Sequence, residues 1–155
     1  MRKTAEIFPD EGLDYLLGIV PKNGTNLANT YCGLFINMTA STVPAASAVL
    51  ASQTGVTETS GWGYTRIAHA ASAWGAVGSK TIWSQSARGT TGAQLSFAAA
   101  SAAYAAAING FFMAATSGAG TGPALFYSNF DDTTAISSLS LGDIIKITPT
   151  FGLLG

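Results

Sequence analysis

Charged side chains are scarce in this sequence. The 155 residues include 7 Lys and Arg against 8 Asp and Glu, so only 10% are charged and the net charge is −1. An average soluble domain has roughly 25% charged residues. There is no basic surplus for binding nucleic acid phosphates, and the 48% hydrophobic content excludes a disordered chain. Since weak net charge favours association, the composition predicts one folded domain that contacts other protein surfaces.

Cysteine and histidine each occur once, as Cys32 and His69. A lone cysteine cannot form an internal disulfide, and Cys32 stands in the apolar run 31–36, where we expect a small buried hydrophobe. A cysteine nucleophile would need His69 as its base, and one such pair is weak support for catalysis. We therefore predict that the protein is not an enzyme and has no catalytic residue.

Metal and cofactor motifs are equally sparse. Zinc sites draw on several His or Cys ligands, which this chain lacks. Asn129, Asp131 and Asp132 could offer three oxygens to a hard cation, but calcium needs more, and an Asp-Asp turn after a strand is the commoner arrangement. The glycine-rich residues 118–123 lead into a predicted strand rather than a helix that could hold phosphate, so we predict a flexible hairpin loop there. We expect no metal and no cofactor.

Long runs of large apolar residues are also missing. The sequence is free of charge from Gly89 to Phe130, and residues 93–116 are the strongest candidate for a membrane span. They are mostly Ala and Ser, whereas a spanning helix needs about 20 strongly apolar residues. Acidic residues interrupt the N-terminal region, so we expect neither a signal peptide nor a membrane partner.

One short helix is predicted near the N-terminus. Pro9-Asp10-Glu11 is typical of a helix start, with Asp10 expected to cap the free amides. An apolar face follows at helical spacing, and Pro21 and Asn23-Gly24 end the helix. The residues of this apolar face are Leu13, Leu16, Leu17 and Val20.

In the rest of the sequence, apolar and polar residues alternate over short segments, which is typical of strands separated by turns. Strands are predicted at residues 31–38, 57–70, 79–86, 93–99, 108–113, 123–130, 136–141 and 143–151, with turns at 61–64, 89–92 and 141–143. Residues 98–107 are helical by alanine propensity, but the flanking strand patterns favour a loop. We predict an all-β fold: an antiparallel β-sandwich, jelly-roll-like, at residues 25–155, with residues 1–24 forming an arm and short helix packed on it.

Several segments together resemble a family of small virion proteins of tailed bacteriophages. The likeness covers most of the chain, though the Ala/Ser-rich residues 98–107 depart from the family pattern. The segments are Ile7-Phe8-Pro9-Asp10-Glu11-Gly12-Leu13-Asp14-Tyr15-Leu16-Leu17, Leu34-Phe35, Thr57-Glu58, Gly63-Tyr64, Trp74-Gly75, Ile108-Asn109-Gly110-Phe111-Phe112, Leu125-Phe126-Tyr127 and Gly142-Asp143-Ile144-Ile145-Lys146-Ile147-Thr148-Pro149-Thr150-Phe151.

The resemblance implies a capsid decoration (cement) protein that binds the outer capsid lattice and stabilises the shell. The expected partners are the major capsid protein and further copies of the chain, as a homo-oligomer such as a trimer. The expected location is the capsid surface of a virion assembled in the bacterial cytoplasm. The alternative is a tail, fibre or baseplate component. Since free arms often order on binding, Arg2, Lys3, Ile7 and Phe8 are the candidate interface residues.

Overall fold

The computed structural model describes residues 6, 7, 9–19, 27–36, 47, 49–52, 56–82, 85–99, 101–104, 107–130, 136 and 139–154. Within these residues the chain is all-β and antiparallel with one short α-helix, which confirms the predicted fold class. The jelly-roll arrangement is not confirmed. The elements are β1 (Glu6–Ile7), α1 (Asp10–Ile19), β2 (Asn29–Ile36), β3 (Thr57–Glu58), β4 (Ile67–Ala70), a 3₁₀ turn (Ala71–Ala73), β5 (Gly78–Ile82), β6 (Gln85–Thr91), β7 (Leu95–Ala98), β8 (Gly110–Ala114), β9 (Ala124–Asn129), β10 (Ile144–Ile147) and β11 (Thr150–Leu154).

The largest sheet has both faces covered. Its strands run in the order β1-β9-β8-β2-β3, and β4 also pairs with β2. Consecutive residues of β2 are buried from Cys32 to Phe35, which is typical of a strand covered on two sides. Leu34 belongs to one hydrophobic core and Phe35 to a second, as the predicted alternation of faces requires.

A two-stranded sheet of β7 and β10 covers the first core. Leu95 and Phe97 pair with Ile147 and Ile145, and all four are buried. They form one cluster with residues of the main sheet, so the two sheets pack as in a β-sandwich. The main-sheet members of this cluster include Cys32, Leu34, Met113 and Phe126.

A third sheet, β5-β6-β11, corrects two predictions. The glycine-bounded segment 89–92 is not a hairpin turn, because β6 continues through Thr91 and pairs with β5 and β11. The strand predicted at 143–151 is two strands in different sheets, interrupted at Pro149. Proline cannot donate to a sheet ladder, and β11 starts directly after it.

The N-terminal helix packs on the outer edge of β9. The carbonyl of Pro9 accepts from the amide of Leu13 at 3.0 Å, so Pro9 rather than Asp10 occupies the N-cap position. Glu11 Oε1 accepts from the Ala124 amide at 2.6 Å. The predicted apolar face is wrong at Leu13, whose side chain is 44% exposed. In the first turn of α1, Glu11 and Gly12 make the contacts with β9 instead.

The region predicted to be an alanine-rich loop is not helical where it is described. Residues 101–104 form bends and a bridge between Tyr104 and Leu139. In the predicted strand 136–141, Ile136 and Leu139 form isolated bridges only, and residues 137 and 138 lie outside the described part. No helix of the described residues is long and apolar enough to cross a membrane, and the candidate span 93–116 contains β7 and β8.

Candidate functional site

A buried ion pair lies at the centre of the candidate site. Arg66 donates from Nε to Glu58 Oε1 and from Nη2 to Glu58 Oε2, both at 2.8 Å. The side chains are 0% and 3% exposed, respectively. The arrangement is the two-pronged geometry in which guanidinium and carboxylate bind most strongly. Glu58 ends β3, and Arg66 directly precedes β4; both strands pair with β2, so the ion pair closes the loop that connects them.

Both carboxylate oxygens of Glu58 also accept hydrogen bonds from other donors. The hydroxyl of Tyr64 donates to Glu58 Oε1 at 2.7 Å, and the amide of Gly120 donates to Oε2 at 2.6 Å. Burial, followed by the adjoining Glu58 carboxylate, raises the pKa of Tyr64 well above its usual range. The phenol therefore stays protonated and remains a donor.

The guanidinium holds a second loop in place. Arg66 Nη1 donates to the carbonyls of Thr116 and Thr121 at 2.7 and 3.1 Å. Its Cζ lies 5.1 Å from the ring centroid of Phe112, within cation–π range. The hairpin loop between β8 and β9 is thereby bound to the loop between β3 and β4. Sequence inspection predicted a flexible loop at 118–123, whereas the structure shows one pinned at Thr116, Gly120 and Thr121.

A left-handed turn lies between the two charged residues. Gly61, Trp62 and Gly63 have φ angles of 80°, 45° and 81°. Glycine adopts such angles freely, but tryptophan does so rarely and with strain. The Trp62 ring packs between those of Tyr64 and Tyr104, with centroids 5.8 and 5.3 Å away, and is 5% exposed. These ring contacts hold the strained backbone.

An uncharged cleft of about 210 Å³ opens beside this turn. Its floor includes Trp62, Tyr64 and Phe97, and its rim carries the exposed side chains of Thr65 and Ser96. The cleft lies between β7 and the residues that directly precede β4. The uncharged surface around the turn is therefore concave at this point.

The exposed residues of the two bound loops form what we call the loop surface. None of them is charged, and all have short side chains or none; they are Ser60, Gly61, Gly63, Thr65, Ser117, Gly118, Ala119 and Thr121. Short side chains lose little conformational entropy on contact. A backbone already held by buried hydrogen bonds lowers the ordering cost of binding further. The arrangement is therefore suited to close contact with another protein surface.

The lone cysteine and histidine lie in the packed interior. Cys32 is fully buried, and burial raises the pKa of its thiol, which disfavours the thiolate that a nucleophile needs. His69 is 1% exposed, with Nε2 3.3 Å from the Ala93 carbonyl and its ring 4.7 Å from that of Trp74. Both residues contribute to packing between sheets.

Three of the four predicted interface residues, Arg2, Lys3 and Phe8, lie outside the described residues. Ile7 belongs to β1, which pairs with β9 in the register Ile7 to Tyr127. The suggested cation ligands Asp131 and Asp132 are also outside. Over the described residues, no group of three or more His, Cys, Asp or Glu side chains is placed to hold a metal.

Sequence reasoning missed the ion pair, although a signal for it was present. Glu58 and Arg66 have opposite charges and flank the Gly-Trp-Gly turn. Between Asp14 and Asp131, the only other charged residues of the sequence are Lys22, Lys80 and Arg88. Since β3 and β4 both pair with β2, the loop between them brings its two ends close together. Burial of the pair depends on Phe112 and the loop at 116–122, which sequence spacing does not reveal.

No protein-family model matches the chain, and no curated protein or solved structure is significantly similar to it.

Proposed function

We propose that the chain is a decoration protein of a tailed-bacteriophage capsid, which binds the major capsid protein on the outer shell and bridges neighbouring subunits. The structural observation that supports this proposal is the loop surface, an uncharged set of short side chains held by the buried Glu58–Arg66 pair. The phage resemblance of the sequence supports the choice of partner. Both features favour a role in contact rather than in chemistry.

The mechanism is stabilisation by preferential binding. A protein that binds the assembled shell more tightly than free subunits shifts the equilibrium toward the shell. Because the loop surface is neutral, its contact with the shell depends on area and fit, and salt screens it little. The rigid turn at Trp62 and the pinned loop at Gly120 present that area without prior ordering.

The first test is the copy number of the chain in purified particles, measured by quantitative mass spectrometry against the major capsid protein. A decoration protein is expected at a constant ratio of the order of one copy per few shell subunits. Particles lacking the chain should disrupt at lower temperature, and addition of the purified protein should restore their stability. A handful of copies per particle would instead indicate a tail, fibre or baseplate component and overturn the proposal.

The second test examines the loop surface itself. Ala119→Lys adds a long charged side chain to the exposed loop at 116–122, while Ala76→Lys makes the same change at an exposed position outside the loop surface. We expect Ala119→Lys to reduce binding to particles lacking the chain by about tenfold or more. The Ala76→Lys protein should bind like the wild type. Equal binding by both variants would exclude the loop surface as the contact.

A further inference from the structure

The cleft beside the tryptophan turn has the size of a small ligand. Its volume is about 210 Å³, and its walls come from residues 62–67 on one side and 96–98 of β7 on the other. None of the residues that line it is charged. Pockets for drug-sized ligands usually measure about 300–1,000 Å³. The cleft is therefore suited to one small, neutral group.

The aromatic floor of the cleft is held in place by its own contacts. Tyr64 is half-buried, and its ring centroid lies 5.8 Å from that of Trp62 and 6.0 Å from that of Phe97. The Tyr64 hydroxyl accepts from the Leu34 amide at 3.0 Å and donates to Glu58. Because the ring is fixed at both ends, a ligand would not have to order it, which lowers the cost of binding.

Two hydroxyl groups on the rim are available to a ligand. Thr65 lies on one side of the cleft and Ser96 on the other, and both are exposed. Within the described part of the chain, neither hydroxyl has a hydrogen-bond partner in the protein. A serine or threonine hydroxyl both donates and accepts. The two groups therefore suit a ligand that itself carries several hydroxyls.

Trp62, which also lines the cleft, has two unusual features. Its φ angle of 45° is rare for a residue other than glycine, and strained residues of this kind cluster at functional sites. Its indole Nε1 is buried and has no acceptor among the residues that the structure describes. A buried donor without an acceptor is costly and requires an explanation, for which an oxygen of a ligand is one source.

We propose that this cleft binds one unit of a neutral saccharide. The C–H groups of a sugar ring pack on aromatic rings, here on Tyr64, while its hydroxyls form hydrogen bonds with Thr65 and Ser96. A sugar oxygen is also an acceptor for Trp62 Nε1. Because no cation lines the cleft, a neutral hexose is favoured over an anionic sugar such as a uronic acid.

The proposal concerns the purified chain and goes beyond the contact with a capsid. A single sugar in an open cleft binds weakly, with an expected Kd of the order of 1 mM. Many copies on one particle would strengthen attachment to a polysaccharide through high effective concentration. Loss of the sugar-binding proposal would not affect the decoration role, and failure of the copy-number test would not affect this site.

Nuclear magnetic resonance titration of the purified protein tests the site. The probes are the methyl glycosides of glucose, galactose, mannose and N-acetylglucosamine, with glucuronic acid for comparison. At least one glycoside should give saturable shifts, largest at the amides of Gly63, Thr65 and Ser96, and glucuronic acid should bind at least about tenfold more weakly. No saturable shift with any glycoside, or shifts confined to other residues, would overturn the proposal. Binding of a tetraproline peptide in the cleft when no glycoside binds would also overturn it.

Matched variants assign the binding to the two hydroxyls. Thr65→Val and Ser96→Ala each remove one hydroxyl with little change of shape, and together they should weaken binding by about tenfold or more. Ser79→Ala makes the same change at an exposed position of β5 outside the cleft and should bind like the wild type. Undiminished binding by the double variant would show that the sugar does not bind as proposed.

Filling the cleft gives an independent test. Ser96→Phe should abolish the binding, whereas Ser79→Phe, at an exposed strand position outside the cleft, should retain it. Circular dichroism establishes that each variant is folded. If folded Ser96→Phe still binds the glycoside, the proposal is wrong; if this variant does not fold, the hydroxyl variants decide.

Discussion

Glu58 and Arg66 form a bidentate ion pair whose two N–O distances are both 2.8 Å and whose side chains are almost wholly removed from solvent. Further hydrogen bonds join this pair to Tyr64, Gly120, Thr116 and Thr121. One pair of charges therefore joins two loops that are about 50 residues apart in sequence. Removing either charge leaves the other buried without its partner.

Replacement of Arg66 by methionine is expected to destabilise the fold strongly. Loss of one partner of a buried pair typically costs about 3–5 kcal/mol, because the remaining charge is not solvated. Urea unfolding of Arg66→Met should show this loss, and the double variant Glu58→Leu with Arg66→Met should recover part of it. Arg88→Met, at an exposed arginine, should change the free energy of unfolding by less than about 0.5 kcal/mol. Equal effects at the two arginines would contradict a structural role for the pair.

Stability should fall at alkaline pH. The pKa of Tyr64 is raised in the folded state, so the folded protein holds this proton more tightly than the unfolded chain. The resulting stability is fully present below the unfolded pKa of about 10 and is lost as pH rises above it. Burial raises the pKa of Tyr127 and Cys32 in the same direction. Urea midpoints of the wild type should therefore decrease above about pH 10, and less so for Tyr64→Phe; identical pH profiles would contradict the assignment to Tyr64.

Gly12→Ala should destabilise the protein even though alanine favours helices. An added Cβ would clash with the carbonyl oxygen of Leu125 and lie 3.0 Å from that of Ala124, so α1 would have to move off β9. Overpacking of this kind costs about 1–3 kcal/mol, more than the gain of about 1 kcal/mol in helix propensity. Gly78→Ala is the control, since its Cβ meets nothing within 4 Å. If the midpoint of thermal unfolding of Gly12→Ala is equal to or higher than that of the wild type, the helix does not need this close approach to β9.

Gly61→Ala isolates the backbone strain of the tryptophan turn. Gly61 has a φ angle of 80°, and an added Cβ would meet nothing within 4 Å, so only the left-handed backbone penalises the change. The expected loss is about 1–2 kcal/mol of unfolding free energy. Gly61→Asn should lose less, because asparagine tolerates this conformation better. Chemical denaturation that finds alanine and asparagine equal would contradict a left-handed turn at this position.

The sequence alone determined the fold class and most of the elements, because these depend on local pattern. Helical apolar spacing marked α1, and alternation marked β2, β7, β8 and β9. The left-handed geometry of the Gly-Trp-Gly turn was consistent with the turn predicted there. Burial of Cys32 followed from its apolar context.

Only the tertiary structure decided which charged residues are buried and which strands pair with each other. Gly89 looked like part of a turn, and only pairing with Gly78 and Gly152 made it the middle of a strand. The charges of Glu58 and Arg66 could equally have remained in solvent near the surface; the Phe112 ring and the loop carrying Gly120 bury them. A local sequence pattern shows which face of one strand is apolar. The burial of the ion pair and the place of Gly89 in a strand depend instead on which distant strands and loops come into contact. Those contacts are set by the packing of the whole chain.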